Sequence, residues 1–137
     1  MGEQSRRATI LLVDDCVDYL TTCALLFQNC GFEVIVAQSG AQALSEMRNH
    51  RPSVIVTDVG MPGMDGWELC RRLRSIRHLQ RVPIIVVSAG TGMDVPATRC
   101  FDEYMSKPVQ FPDLLGKVQA WLPLVDPAAS ATSSNRL

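Results

Sequence analysis

The chain has no Cys-x-x-Cys pair, an odd number of cysteines and no signal-peptide pattern. Its Cys16, Cys23, Cys30, Cys70 and Cys100 therefore do not read as a disulfide framework, and a reducing cytoplasm suits them best. Cys16, Cys23 and Cys30 recur at heptad spacing on one side of a predicted helix, which fits buried small hydrophobes better than metal ligands. Neither His50 nor His78 stands near a cysteine, so no zinc-ligand pattern forms. No apolar run approaches the ~20 residues that cross a bilayer. Phosphate-cradling loops of the G-x-x-x-x-G-K-[ST] and G-x-G-x-x-G types are missing. So is any strong charge imbalance: the formal net charge is −1, which gives no ground to expect nucleic acid or an anionic membrane as a partner. The one local excess, Arg71, Arg72, Arg74, Arg77 and Arg81, reads as the solvated face of one helix.

What is present is a chain of 137 residues, 47% of them hydrophobic, enough for one domain with a real core. Residues 1–8 read as a flexible start, 9–122 as the folded domain, and 123–137, rich in Ala and Ser, as a disordered tail or the start of a linker. Four short apolar runs beginning at Thr9, Val34, Val54 and Ile84 predict parallel strands buried on both faces. A weaker fifth strand is Glu103-Tyr104-Met105-Ser106. Between them, Leu20, Ala24 and Phe27 repeat with helical spacing up to a stop at Gly31. Ser39 with Gln42 reads as a capping box ahead of Ala43, Leu44 and Met47. Asp65 with Glu68 repeats that start signal before Leu69, Cys70, Leu73 and Ile76. Leu114, Leu115, Val118, Trp121 and Leu122 form the last core-facing stripe. Five β-α alternations predict an α/β sheet with helices on both faces, and ligand chemistry beyond the carboxyl ends of the strands.

The polar residues just after the strands carry the chemistry. Asp14 and Asp15 come after the first, Asp58 after the third, Ser88 after the fourth and Lys107, before Pro108, after the fifth. In a sheet of order 2-1-3-4-5 the first and third strands are neighbours, so three carboxylates converge. Such acids repel one another unless a cation joins them. Mg²⁺, or Mn²⁺ in its place, accepts carboxylates, waters and phosphate oxygens together. A carboxylate can attack phosphorus, and phosphoryl transfer requires alignment and charge neutralisation above all. Asp58 fits the nucleophile. Asp15 with Asp14, and the carbonyl of Gly60, fit the metal shell. Lys107 and Ser88 fit the phosphoryl oxygens. A cis Lys107-Pro108 bond would aim Lys107 inward, whereas a trans turn is the ordinary expectation. The loop from Gly60 to Gly66 reads as a tight connection to the helix capped by Asp65.

Leu11-Leu-Val-Asp-Asp15, Val56-Thr-Asp-Val-Gly-Met-Pro-Gly-Met-Asp-Gly66, Val87-Ser-Ala89 and Lys107-Pro108 together resemble the receiver domain of two-component response regulators, over about Thr9 to Leu122. The resemblance implies a flavodoxin-like, doubly wound five-stranded sheet. It implies Asp58 as phosphoacceptor, Asp14 and Asp15 as metal ligands, Ser88 as switch hydroxyl and Tyr104 as the aromatic switch position. It also implies a histidine kinase or phosphotransfer protein as donor, a downstream protein partner, and slow self-dephosphorylation. The segment from Ser88 to Lys107 is shorter than the family usually shows, which predicts a shortened fourth helix starting near Pro96. Small residues at Gly60 and Gly90 predict a short phosphoryl lifetime. Three rivals stand beside this reading. A phosphohydrolase using an aspartyl phosphate would want a D-x-D motif after the first strand. A flavodoxin-like cofactor binder would suffer repulsion from Asp14, Asp15 and Asp18. A receiver-like module that is never phosphorylated would keep the fold alone.

Overall fold

The computed structural model describes residues 7–90, 95–96 and 99–122. The expected flexible start over 1–8 and tail over 123–137 lie wholly or almost wholly outside these residues, and so does most of the segment expected to form a short helix near Pro96.

Five parallel strands form one sheet: β1 (Thr9–Val13), β2 (Glu33–Ala37), β3 (Val54–Asp58), β4 (Ile84–Ser88) and β5 (Glu103–Ser106). Their spatial order is β2-β1-β3-β4-β5, as the alternation predicts. β3 and β4 are buried at every residue, which is why they read as unbroken apolar runs. β2 and β5 are the edges. There the expectation of two buried faces is corrected for β2, whose Glu33 and Val36 are exposed because no strand covers that side.

Alternate residues of the central strands feed two cores. Leu11, Val13, Ile55 and Val86 pack with α2 (Gly40–Glu46) and α3 (Gly66–Arg74). Ile10, Leu12, Val56 and Ile85 pack with α1 (Val17–Asn29) and α4 (Phe111–Trp121). Phe27, fully buried, meets Phe32 and Phe111 edge-on at 5.3 and 4.9 Å. Each such side chain contributes roughly 1.5–3 kcal/mol by burial.

Local signals set the helix ends. Gln42 N–H donates to Ser39 Oγ at 3.1 Å, while Gln42 Oε1 accepts from the N–H of Gln38, so the capping box closes one residue earlier than its usual form. Glu68 N–H donates to Asp65 Oδ1 at 2.9 Å. Gly31 closes α1 with φ +94°, a region open to glycine.

Four sequence expectations change. Of the heptad cysteines only Cys23 is buried; Cys16 and Cys30 cap the two ends of α1 and are exposed. α3 stops at Arg74, so Ile76, Arg77 and Arg81 lie beyond it. Arg74 is no solvated residue: its guanidinium donates to Asp102 at 2.6 Å and to the carbonyls of Leu79, Val82 and Cys100. Trp121 is exposed, and its indole N–H donates to Glu103 at 3.0 Å.

Gly66 lets the start of α3 close onto the end of β3, its N–H donating to the Val59 carbonyl at 2.9 Å. A Cβ there would lie 2.7 Å from Val59 Cα and against the carbonyl of Asp58. Neither neighbour is a side chain that can swing away. Gly66→Ala is expected to cost about 1–3 kcal/mol by overpacking, measured by chemical denaturation.

Candidate functional site

The parallel register lifts the ends of β1, β3, β4 and β5 to one edge. Val13 pairs with Thr57, Asp58 with Val87, and Ser88 with Ser106. The residues just past these pairs therefore meet around the β1/β3 boundary, where the strand order reverses.

Asp14 and Asp58 are almost fully buried, at 5% and 7% exposure, and Asp15 is exposed. One carboxylate oxygen from each of the three lies within 4.8 Å of the other two. Lys107 Nζ reaches in from the end of β5, 3.1 Å from Asp58 Oδ1 and 4.0 Å from Asp14 Oδ2. Its peptide bond to Pro108 is cis. The backbone holds the frame. Asp14 N–H donates to Ala37, Val59 N–H to Val87, and Lys107 N–H to Ser88 at 2.8 Å. Ser88 is buried, and its Oγ accepts from Gly90 N–H at 3.0 Å. Gly60 is exposed, two residues past Asp58, and a Cβ there would touch nothing within 4 Å. Tyr104 hydroxyl donates to Gly90 carbonyl at 3.5 Å, and its ring stacks on Trp67 at 6.4 Å.

Three contributors were not singled out from the sequence. Cys16 N–H donates to Asp14 Oδ1 at 2.9 Å, fixing that carboxylate from the start of α1. Thr57, fully buried, donates its hydroxyl to the Asp58 carbonyl at 2.9 Å. Tyr19 and Cys16 wall the open side of the pocket with Pro108 and Val109. Tyr19 falls on the first turns of α1, after Asp15, and only that placement hinted at it. Burial pushes its hydroxyl up to about 12, so it stays a neutral donor.

Burial raises the Asp14 carboxyl above its ordinary 3.8. The Cys16 N–H and Lys107 oppose this, while the charges of Asp58 and Asp15 add to it. A raised folded pKa means that the fold holds the proton more tightly than the unfolded chain. This group's stabilisation is complete below 3.8 and is lost as pH climbs through the folded value. Asp14→Asn, which keeps an acceptor for Cys16, is expected to raise the metal-free melting temperature at neutral pH and to flatten the decline over that acid window. Wild type should gain about 2.7 kcal/mol from Mg²⁺ at a hundred times its Kd, and the variant clearly less. Calorimetry with and without Mg²⁺ checks both.

Among the described residues three carboxylates face a single ammonium, and two of them are nearly buried. That surplus of negative oxygen fits a hard divalent cation, so Asp14, Asp15 and Asp58 suit Mg²⁺. Together, fold and site define a doubly wound α/β protein with an acidic, lysine-compensated pocket at its switch point.

Comparison with known proteins gives the family. Residues 10–119 match the response regulator receiver domain, and the chain belongs to that family. It is a receiver domain homologous to two-component response regulators. PilG of Pseudomonas aeruginosa is 29% identical over 130 residues, covering 93% of this chain and 96% of that protein. Response regulator MprA of Mycobacterium is 35% identical over 125 residues, which are 86% of this chain and 52% of MprA. The chain thus spans about half the length of MprA and of the DNA-binding response regulator MtrA. The structure of chemotaxis response regulator CheY4 of Vibrio cholerae superposes with a TM-score of 0.76 at 27% identity, covering 85% of this chain and 99% of that one. TrrA of Thermotoga maritima, solved in complex with Mg²⁺–BeF, gives 0.75 at 27% identity over 84% of this chain and 99% of that one. The family binds Mg²⁺ at an acidic pocket and interacts with histidine kinases or phosphotransfer proteins. No described helix is long and apolar enough to cross a membrane.

Proposed function

We propose that this chain is a phosphorylation-dependent switch in which Asp58 accepts the phosphoryl group of a histidine kinase or histidine phosphotransfer protein in the cytoplasm. The observation that carries this is the seat of Asp58: nearly buried, 3.1 Å from Lys107 Nζ, and clustered with two further carboxylates. An Asp58 oxygen bonds to phosphorus as the donor's P–N bond breaks, and the electron pair leaves on the imidazole, which takes up a proton. Lys107 and the Ser88 hydroxyl receive phosphoryl oxygens. Asp14 and Asp15, with the Gly60 carbonyl, are the metal ligands alongside Asp58. Mg²⁺, when bound, supplies neutralisation of the phosphoryl charge. The chain turns over no outside substrate; water later returns Asp58 to its free form. The open space at Gly60 gives that water access, which supports a short phosphoryl lifetime.

Asp58 gains charge and three strong acceptor oxygens. Ser88 turns its hydroxyl toward them and releases the N–H of Gly90, whose carbonyl holds Tyr104. Tyr104 then enters the space Ser88 vacates, which changes its stacking on Trp67 and alters a protein-binding surface. Tyr104→Ala should phosphorylate at an unchanged rate but lose most of the phosphorylation-induced change in Trp67 fluorescence, read with Trp121 replaced by Phe. A full fluorescence change in that variant removes Tyr104 from the switch.

Incubation with acetyl phosphate and Mg²⁺ tests the whole reading. One phosphoryl group per chain, absent when EDTA is added, is the expected mass change. Uptake that ignores EDTA contradicts it. No uptake in either condition favours the unphosphorylated interaction module.

A further inference from the structure

The pole opposite the acidic pocket has the reverse charge. Because the strands are parallel, the segments feeding β1, β3, β4 and β5 all arrive at one edge, and they bring Arg7, Arg51, Arg81 and Arg99. The last turn of α3 adds Arg71 and Arg74 at the same edge. Of the acids at this edge, Asp102 pairs with Arg74 and Glu103 with Lys117 and Trp121, while Glu33 stands exposed at the start of β2, at the other end of the strand order from β4 and β5. Arg51, Arg71, Arg81 and Arg99 have no carboxylate within 4.0 Å among the described residues.

This surface is shaped as well as charged. One depression is lined by Arg71, Gln80 and Arg99, with Phe101, Cys100 and the Arg74–Asp102 ion pair, so it carries three guanidinium groups against one carboxylate. The Arg99 guanidinium lies 4.7 Å over the Phe101 ring, which holds it in place. Arg74 is spent on its carbonyls and Asp102, so it is floor rather than contact. A second depression is lined by Arg51, Ser53, Arg81, Pro83 and Trp121. Gln80 of the first and Arg81 of the second are consecutive in the chain. Guanidinium groups match carboxylates two bonds at a time, and the apolar walls suit side chains between them.

We propose that this basic pole docks an acidic segment of a partner protein, one alternating carboxylate and apolar side chains. Two concave depressions with apolar walls favour a short peptide, whose side chains can enter them, over a flat membrane or the regular phosphates of a duplex. Five residues of strand put the acidic pocket roughly 17 Å away, beyond the ~8 Å screening length at physiological salt. A short segment seated in these depressions therefore meets the arginines without repulsion from the acidic pocket. The proposal goes beyond phosphoryl acceptance, and its residues take no part in that chemistry.

The test uses the full chain and a short fluorescein-labelled peptide of alternating Glu and Phe, followed by anisotropy. Binding that weakens with added salt is expected, with the Lys-for-Glu peptide inert. Arg71→Glu and Arg81→Glu, one in each depression and both exposed, should each weaken binding about 5-fold or more. Both should keep the wild-type circular dichroism spectrum and the wild-type rate of phosphoryl uptake from acetyl phosphate, so that failure here is distinguishable from failure of the pocket. Absence of peptide binding, or affinity untouched by both reversals, overturns the proposal. So does tighter binding to phosphatidylserine vesicles or duplex DNA than to the peptide, or self-association in sedimentation that Arg71→Glu abolishes.

Discussion

Asp58→Asn is expected to take up no phosphoryl group from acetyl phosphate, a fall of about 10³-fold or more, the scale of losing a nucleophile. An amide oxygen keeps the size of the carboxylate but not its charge or its nucleophilic electron pair. The fold should survive, because Asp58 contributes to the sheet through its backbone, opposite Val87. Relief of repulsion against Asp14 should leave the metal-free variant no less stable than wild type. Mg²⁺ binding should weaken, since one of three clustered carboxylates is gone. Uptake at the wild-type rate would move the acceptor to another residue. Asp14 and Asp15 are the neighbouring carboxylates, and peptide mapping would tell them apart.

Lys107→Ala has the second largest expected effect, and its signature is two responses of opposite sign. Among the described residues Lys107 is the cation within 4.0 Å of Asp58 and Asp14. Removing it takes away a fixed charge where the phosphoryl oxygens gather, and phosphoryl uptake should fall by ~10²–10³-fold, as for loss of one stabilising donor. Mg²⁺ affinity should meanwhile rise, because the ammonium no longer competes for the same carboxylates. The rise will be modest, since the side chain is 34% exposed and screened by water. Lys107→Arg should restore part of the rate, as it keeps the charge but replaces a compact point by a broad fork. A variant that lost metal affinity and rate together would indicate a misfolded pocket instead. Titration calorimetry beside the rate measurement separates the two.

The sheet and the pocket were both legible in the sequence, for the same reason. β3 and β4 are buried throughout, so they read as unbroken apolar runs. A parallel sheet puts the residue after each run at one edge, and Asp14, Asp58, Ser88 and Lys107 need only the strand order to be assembled. What escaped depends on contacts between distant segments. Arg74 looked like part of a solvated stripe, because nothing local announces Asp102, 28 residues on, or the carbonyls that surround its guanidinium. Trp121 had the spacing of a core residue, but it stands at the end of α4, where Glu103 at the sheet edge draws its N–H outward. The heptad of Cys16, Cys23 and Cys30 was real, yet the helix ran only between its outer members. Thr57 and Cys16 act through a hydroxyl and a backbone N–H, and neither group has a sequence signature. The basic pole belongs to the same category. Its arginines are scattered from position 7 to position 99, and only parallel strands bring them together.

The most direct test of the central claim is to find where the phosphoryl group sits. Protein phosphorylated with acetyl phosphate and Mg²⁺ is reduced with borohydride, which converts an aspartyl phosphate to homoserine, and its peptides are sequenced by mass spectrometry. Homoserine at position 58, and at neither 14 nor 15, is the expected result. Homoserine at either of those positions, or a phosphoryl group that resists borohydride, would contradict it.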